Sequence, residues 1–193
     1  MIKNRKAFIV GIKGLKLQKK EVSFLRKYRP WGIILFSRNI KSIKQVKKLN
    51  FHIRKIFRDI NYPILIDEEG GTISRLKKIL NSSSFTAEYF GKKFKFDKKN
   101  FDKYLNIYID QISFLLKEIG ININNCPVLD VRNIKSDMII GDRSYSKDKN
   151  IVSKVGKIVI EKFKNHKIAT VIKHIPGHGL ANKDSHIDMP IIN

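Results

Sequence analysis

The stretch KHIPGHGLANKDSHIDMP, residues 173–190, holds three of the chain's five histidines together with Asp184. Two chemistries suit those residue types. His174, His178, Asp184 and His186 could ligate a metal, although their spacing fits neither H-E-x-x-H nor a Cys/His finger. Alternatively, Asp184 and His186 are two apart, so in extended chain both side chains point the same way. A carboxylate beside an imidazole fixes its tautomer and stabilises its protonated form, as a histidine general acid/base requires. A polar surface loop could carry the same residues with no chemistry. Pro176, Gly177 and Gly179 argue instead for a specified backbone shape.

These residues must be positioned by regular elements. Short apolar runs rich in Ile and Val, at 7–12, 31–36, 63–67, 121–124 and 168–174, predict strands buried on both faces. Between them, residues 18–28, 42–58, 102–119 and 149–166 carry helical patterns. Ile43, Val46, Leu49, Ile53 and Ile56 form one apolar stripe; Tyr104, Tyr108, Ile112, Leu115 and Ile119 form another, and Gly120 stops that helix. Strand–helix alternation implies parallel pairing with right-handed crossovers. The first turn, VGIKGLKL, has neither G-x-G-x-x-G nor G-K-[ST], which favours a (β/α)8 TIM-type barrel over a dinucleotide fold. Five strands do not close such a barrel, so a barrel cut after about five β/α units is expected. Polar residues follow the strands: Asp67 and EEGG, then CPVLDVR and GDRSYS, then Lys173 and His174. In a parallel sheet these ends share one face, where α/β folds place their sites.

Composition narrows the classes. The 193 residues carry a formal charge of +23, yet the basic set is 31 Lys against 9 Arg, and 32 Ile stand against 4 Ala. That is a bias of the whole chain. Lys13, Lys16, Lys47, Lys77, Lys92, Lys117 and Lys154 are spread out, where a phosphate-binding face would concentrate charge and favour Arg. No specific nucleic-acid partner is expected. The lone Cys126 excludes an intramolecular disulfide and reads as a buried thiol. No run approaches the roughly 20 apolar residues that span a bilayer. The opening apolar run, 7–12, is too short for a signal peptide and is closed by Lys13. A cytoplasmic protein with no membrane partner is the expectation.

LIDEEGGTISRL, CPVLDV, GDRSYSKD and KHIPGHG…DSH…P, in that order, resemble the family 3 glycoside hydrolases, and within them the bacterial β-N-acetylhexosaminidases of peptidoglycan recycling. WGIILFSRNI is similar to that family's G-V-I-L-F-x-R-N-I segment, and the resemblance runs from about residue 8 to residue 190. It implies a (β/α)8 barrel and retaining hydrolysis of terminal β-linked N-acetylglucosamine from carbohydrate substrates such as muropeptides, with no cofactor. Carried over by motif, Asp67 and Arg75 resemble a pair holding sugar hydroxyls, and Arg143, Lys173 and His174 resemble further sugar-binding residues. His186 resembles the acid/base and Asp184 its partner, where most retaining glycosidases use a second carboxylate.

The chain departs from the pattern twice. Thr72 stands where the family usually has Arg after EGG. The family's nucleophile is an Asp on a later strand, and no acidic residue here matches it. The resemblance therefore implies that residues 1–193 are the amino-terminal part of a single barrel domain, unable to turn over by themselves. A non-catalytic remnant or sugar-binding protein, or a phosphorylase of the same fold, would share these motifs. Were residues 1–193 active alone, Asp130, Asp137 and Asp142 would be the first carboxylates to test.

Overall fold

The computed structural model describes residues 4–133, 140–175, 177–181 and 189. Five parallel strands, β1 (Lys6–Gly11), β2 (Pro30–Leu35), β3 (Ile64–Ile66), β4 (Ile123–Asn124) and β5 (Ala169–Thr170), lie in sequential order in one sheet. Helices α1 (Lys19–Tyr28), α2 (Ile43–Phe57), α3 (Ala87–Phe96), α4 (Lys98–Ile119) and α5 (Lys149–Asn165) fill the connections. Sequential order with crossovers of one hand puts the connecting helices on one face. Consecutive helices accordingly pack side by side: α1 on α2, α2 on α4, and α4 on α5. This is the barrel-type arrangement expected from the alternation of elements, in its first five units.

Local signals account for the helix ends. Ser42 caps α2 by accepting from the Gln45 amide at 3.3 Å, and Asp97 caps α4 through the Asn100 amide at 3.3 Å. Gly120 closes α4 at φ +77°, a left-handed conformation that disfavours any residue with a Cβ. The apolar stripes face the core: Val46, Leu49 and Ile53 of α2 and Ile109, Ile112 and Leu116 of α4 are buried beside Ile33, Ile64 and Ile66 of the sheet.

Three details differ from the sequence reading. Helix α4 begins at Lys98, four residues earlier than its stripe indicated, because Asp97 supplies the cap. Helix α3 was not anticipated; Thr86 caps it by accepting from the Tyr89 amide at 3.0 Å, and it packs on α4 and α5. The outer strands β1 and β5 are not buried on both faces: Ile9 of β1 and Ala169 of β5 are exposed, as are Val171 and Ile172 just past β5. Among the described residues each outer strand pairs on one side only, which halves the cover a central strand receives. No helix among the described residues is long and apolar enough to cross a membrane.

Candidate active site

The carboxyl ends of β3, β4 and β5 converge. Past β3 come Asp67, Glu68 and Glu69; past β4, Asn125 to Asp130; past β5, Lys173 and His174. Two asparagines at the end of β4 lock the end of β3. The Glu68 amide donates to Asn124 Oδ1 at 3.0 Å, and Asn124 Nδ2 donates back to the Glu68 carbonyl at 2.9 Å. Asn125 Nδ2 donates to Asp67 Oδ1 at 3.1 Å. On the other side, the Leu129 amide donates to the Lys173 carbonyl at 2.7 Å, extending the β4–β5 ladder beyond its regular strands.

A charged cluster forms there. Lys173 Nζ donates to Asp67 Oδ1 at 3.0 Å and to Glu69 Oε1 at 2.5 Å. Arg143, from the 3-10 turn Gly141–Arg143, grips Glu69 with Nε at 2.8 Å and Nη2 at 2.9 Å. Arg75 Nη2 lies 3.5 Å from Asp67 Oδ2. The fold thus brings Asp67, Arg75, Arg143 and Lys173 to one place. Their exposure separates two roles. The Glu69 side chain is 4% exposed, so its oxygens are committed to the two cations, whereas Asp67 at 16% and Arg75 at 26% keep open surface.

Electrostatics follow from these partners. Burial pushes the Asp67 carboxyl up, but the Lys173 ammonium, the Lys173 and Asn125 hydrogen bonds and Arg75 outweigh it, holding Asp67 below the ordinary range. Burial would lower the Arg143 guanidinium; the Glu69 hydrogen bond and charge reverse that and raise it. Glu68 is raised by burial. Its oxygens accept from the Arg75 and Leu76 amides at 2.8 and 3.0 Å and from Ser82 Oγ at 3.0 Å, which folds the 69–82 loop back on itself.

Asp130 sits beside this cluster, 2% exposed. His174 Nδ1 lies 2.6 Å from Oδ2, and the His178 and Gly179 amides donate to Oδ1 at 2.6 and 3.1 Å. Burial raises this carboxyl and the His174, Gly179 and His178 contacts override it, leaving it below the ordinary range. A carboxylate so enclosed cannot reach a substrate carbon. Asp130 is therefore removed from the carboxylates to test as nucleophile, and Asp142 lies half-buried in the 3-10 turn. Asp137, Asp184 and His186 fall outside the described residues. Among the described residues no three of His, Cys, Asp and Glu are grouped to hold a metal. Thr72 is exposed, with its carbonyl accepting from Lys77 Nζ at 3.2 Å.

The motif reading did not single out Glu69, Asn124 or Asn125, and it noted Asp130 only as a carboxylate. The available signal was position: Asn124 ends β4 and Asn125 follows it, while Glu69 and Asp130 lie within six residues of a strand end, on the edge where the recognised residues stand.

The two depressed carboxyls give a pH prediction. A folded-state value below the ordinary 3.8 contributes stability above that pH and loses it as pH falls through the lower folded value. Amide protection at His178 and Gly179, corrected for intrinsic exchange, is expected to persist down through the ordinary carboxylate range and to be lost only at still lower pH, as Asp130 takes up its proton. Protection unchanged well below that range would contradict the ionised Asp130.

A sequential parallel β/α sheet with a charged, partly open cluster at the carboxyl ends of its strands defines an α/β protein of the barrel class, a fold whose ligand sites lie at that edge. The chain belongs to glycoside hydrolase family 3: residues 3–193 match the model described as the glycosyl hydrolase family 3 N terminal domain. It is 30% identical over 187 residues to a β-hexosaminidase of Hydrogenovibrio crunogenus, covering 95% of this chain and 50% of that protein. The structure of NagZ from Neisseria gonorrhoeae in complex with N-trifluoroacetyl-D-glucosamine superposes with a TM-score of 0.85 at 25% identity, over 96% of this chain and 54% of that one. A family 3 β-N-acetylglucosaminidase from Paenibacillus sp. str. FPU-7 gives a TM-score of 0.82 at 28% identity, over 95% and 34%. The chain spans about half the length of the curated relatives it matches.

Proposed function

We propose that residues 1–193 form the amino-terminal part of a single barrel domain of a cytoplasmic, retaining β-N-acetylhexosaminidase, which removes terminal β-linked N-acetylglucosamine from peptidoglycan fragments. The observation that carries this reading is the Asp67–Lys173–Glu69–Arg143 cluster. It offers one open carboxylate as acceptor beside cationic donors, a pattern suited to adjacent sugar hydroxyls and poorly suited to an apolar or strongly anionic ligand. The names of the relatives support the substrate class.

In this reading Asp67 and Arg75 hold sugar hydroxyls, Arg143, Lys173 and His174 add contacts, and Glu69 keeps both cations in place. His186 is the acid/base and Asp184 its partner. The reading assigns the nucleophile to no residue of 1–193. It needs no cofactor, since protonation and displacement at the anomeric carbon are both side-chain chemistry.

The test is equilibrium binding of N-acetylglucosamine together with hydrolysis of an aryl N-acetyl-β-glucosaminide. A hydrogen bond to a charged group contributes about 1.5–3 kcal/mol, so Asp67→Ala is expected to weaken sugar binding about tenfold or more. Equal binding by the variant removes Asp67 from the site. Binding without turnover by the complete protein would favour a sugar-binding role over hydrolysis.

A further inference from the structure

We infer that Asp130 is the positioning residue of this site: one buried carboxylate sets the tautomer of His174 and pins the 177–179 turn that follows it. The geometry leaves little choice. Oδ1 receives the His178 and Gly179 amides, at 2.6 and 3.1 Å, and a backbone N–H can only donate. Oδ2 receives the His174 amide at 3.3 Å and faces His174 Nδ1 at 2.6 Å. A carboxylate that accepts from three amides is an acceptor for the fourth contact as well, since a bare Nδ1 would set two lone pairs against each other. Nδ1 therefore carries hydrogen. In the neutral ring that makes Nε2 the acceptor. Lys173 and His174, adjacent in the chain, then present a donor and an acceptor respectively.

A second observation fixes the turn independently. A Cβ at Gly179 would come 2.3 Å from the Val131 carbonyl oxygen, so the turn lies directly on the backbone that carries Asp130. Gly177 stands at φ +138°, a region closed to residues with a Cβ. Asp130 thus ties two stretches 44–49 residues apart, and the second leads into the segment holding Asp184 and His186. Its effect on sugar affinity rests on the function proposed above; its effect on the His174 ring does not.

The experiment uses the purified full chain with 15N-labelled histidine and reads the spectrum of the neutral ring. Long-range proton–nitrogen spectra are expected to show His174 protonated on Nδ1. The Nε2–H form in the unmodified protein overturns the inference, with no variant required. In Asp130→Asn the amide NH2 can donate to Nδ1, so the ring is expected to switch toward Nε2–H and N-acetylglucosamine binding to weaken about tenfold or more; Asp130→Glu is expected to restore the original tautomer. A folded Asp130→Asn protein with tautomer and affinity both unchanged also overturns it. If the tautomer behaves as expected but the unmodified protein binds no N-acetylglucosamine, the sugar reading fails and the positioning role stands.

Discussion

Replacing His186 with Ala is expected to lower kcat/KM by about 10²–10⁴-fold in an active enzyme carrying this segment, on β-glycosides with poor leaving groups. A sugar or peptidoglycan alkoxide is a strong base, so the glycosidic oxygen must gain a proton as its bond breaks. His186 is the proposed donor of that proton, with Asp184 two residues away to stabilise the imidazolium before transfer. An activated aryl glycoside departs as a weakly basic phenolate and needs little protonation. The same substitution is expected to cost far less on that substrate. The ratio of the two losses is the diagnostic quantity, because a binding or folding defect reduces both alike. Equal losses on the two substrates would assign His186 to binding or structure.

Gly91→Ala is expected to destabilise the protein by at least about 2 kcal/mol, although Ala is the better helix former by about 1 kcal/mol. Gly91 lies inside α3, where a Cβ would come 1.6 Å from the Tyr145 carbonyl oxygen and 2.6 Å from its carbonyl carbon. Both atoms are backbone and no rotamer change relieves them. Tyr145 is buried and lies two residues past Arg143. Separating α3 from that turn would therefore also draw the guanidinium away from Glu69. Gly156 in α5 supplies the control: its Cβ would meet Leu129 Cδ2 at 2.4 Å, the far end of a flexible side chain. Gly156→Ala is expected to be near neutral, the helix propensity offsetting a rotamer shift. Urea unfolding midpoints for the two variants decide the matter. If both shift alike, the close approach of α3 to Tyr145 does not constrain the fold.

Much of this architecture was legible without coordinates. Five Ile- and Val-rich runs and four stripes at helical spacing marked, among the described residues, every strand and four of the five α-helices, because burial imposes its period directly on apolar positions. Helix α3 escaped notice. Its sequence, AEYFGKKFKF, spans only 10 residues, and its helix signal rested on the Thr86 cap. Strand extent was the other gap: β5 keeps two residues of an expected strand of seven, since ladder length depends on the partner strand as well as on composition.

The site divides along the same line. Asp67, Arg75, Arg143, Lys173 and His174 were recognisable by type and motif, and their common edge followed from parallel pairing alone. Their partners were not recognisable. Lys173 meets Asp67 across 106 residues and Arg143 meets Glu69 across 74. Nothing in the local pattern distinguishes Glu69, enclosed between two cations, from Glu68 beside it, whose oxygens are taken by the amides and hydroxyl of its own loop. The sequence by itself determined the order of elements and the kinds of side chain at their ends, because hydrophobic periodicity and turn chemistry are local. Which carboxylate is desolvated, and against which cation, only the tertiary structure decided, because burial and charge pairing depend on distances between segments that the fold alone brings together.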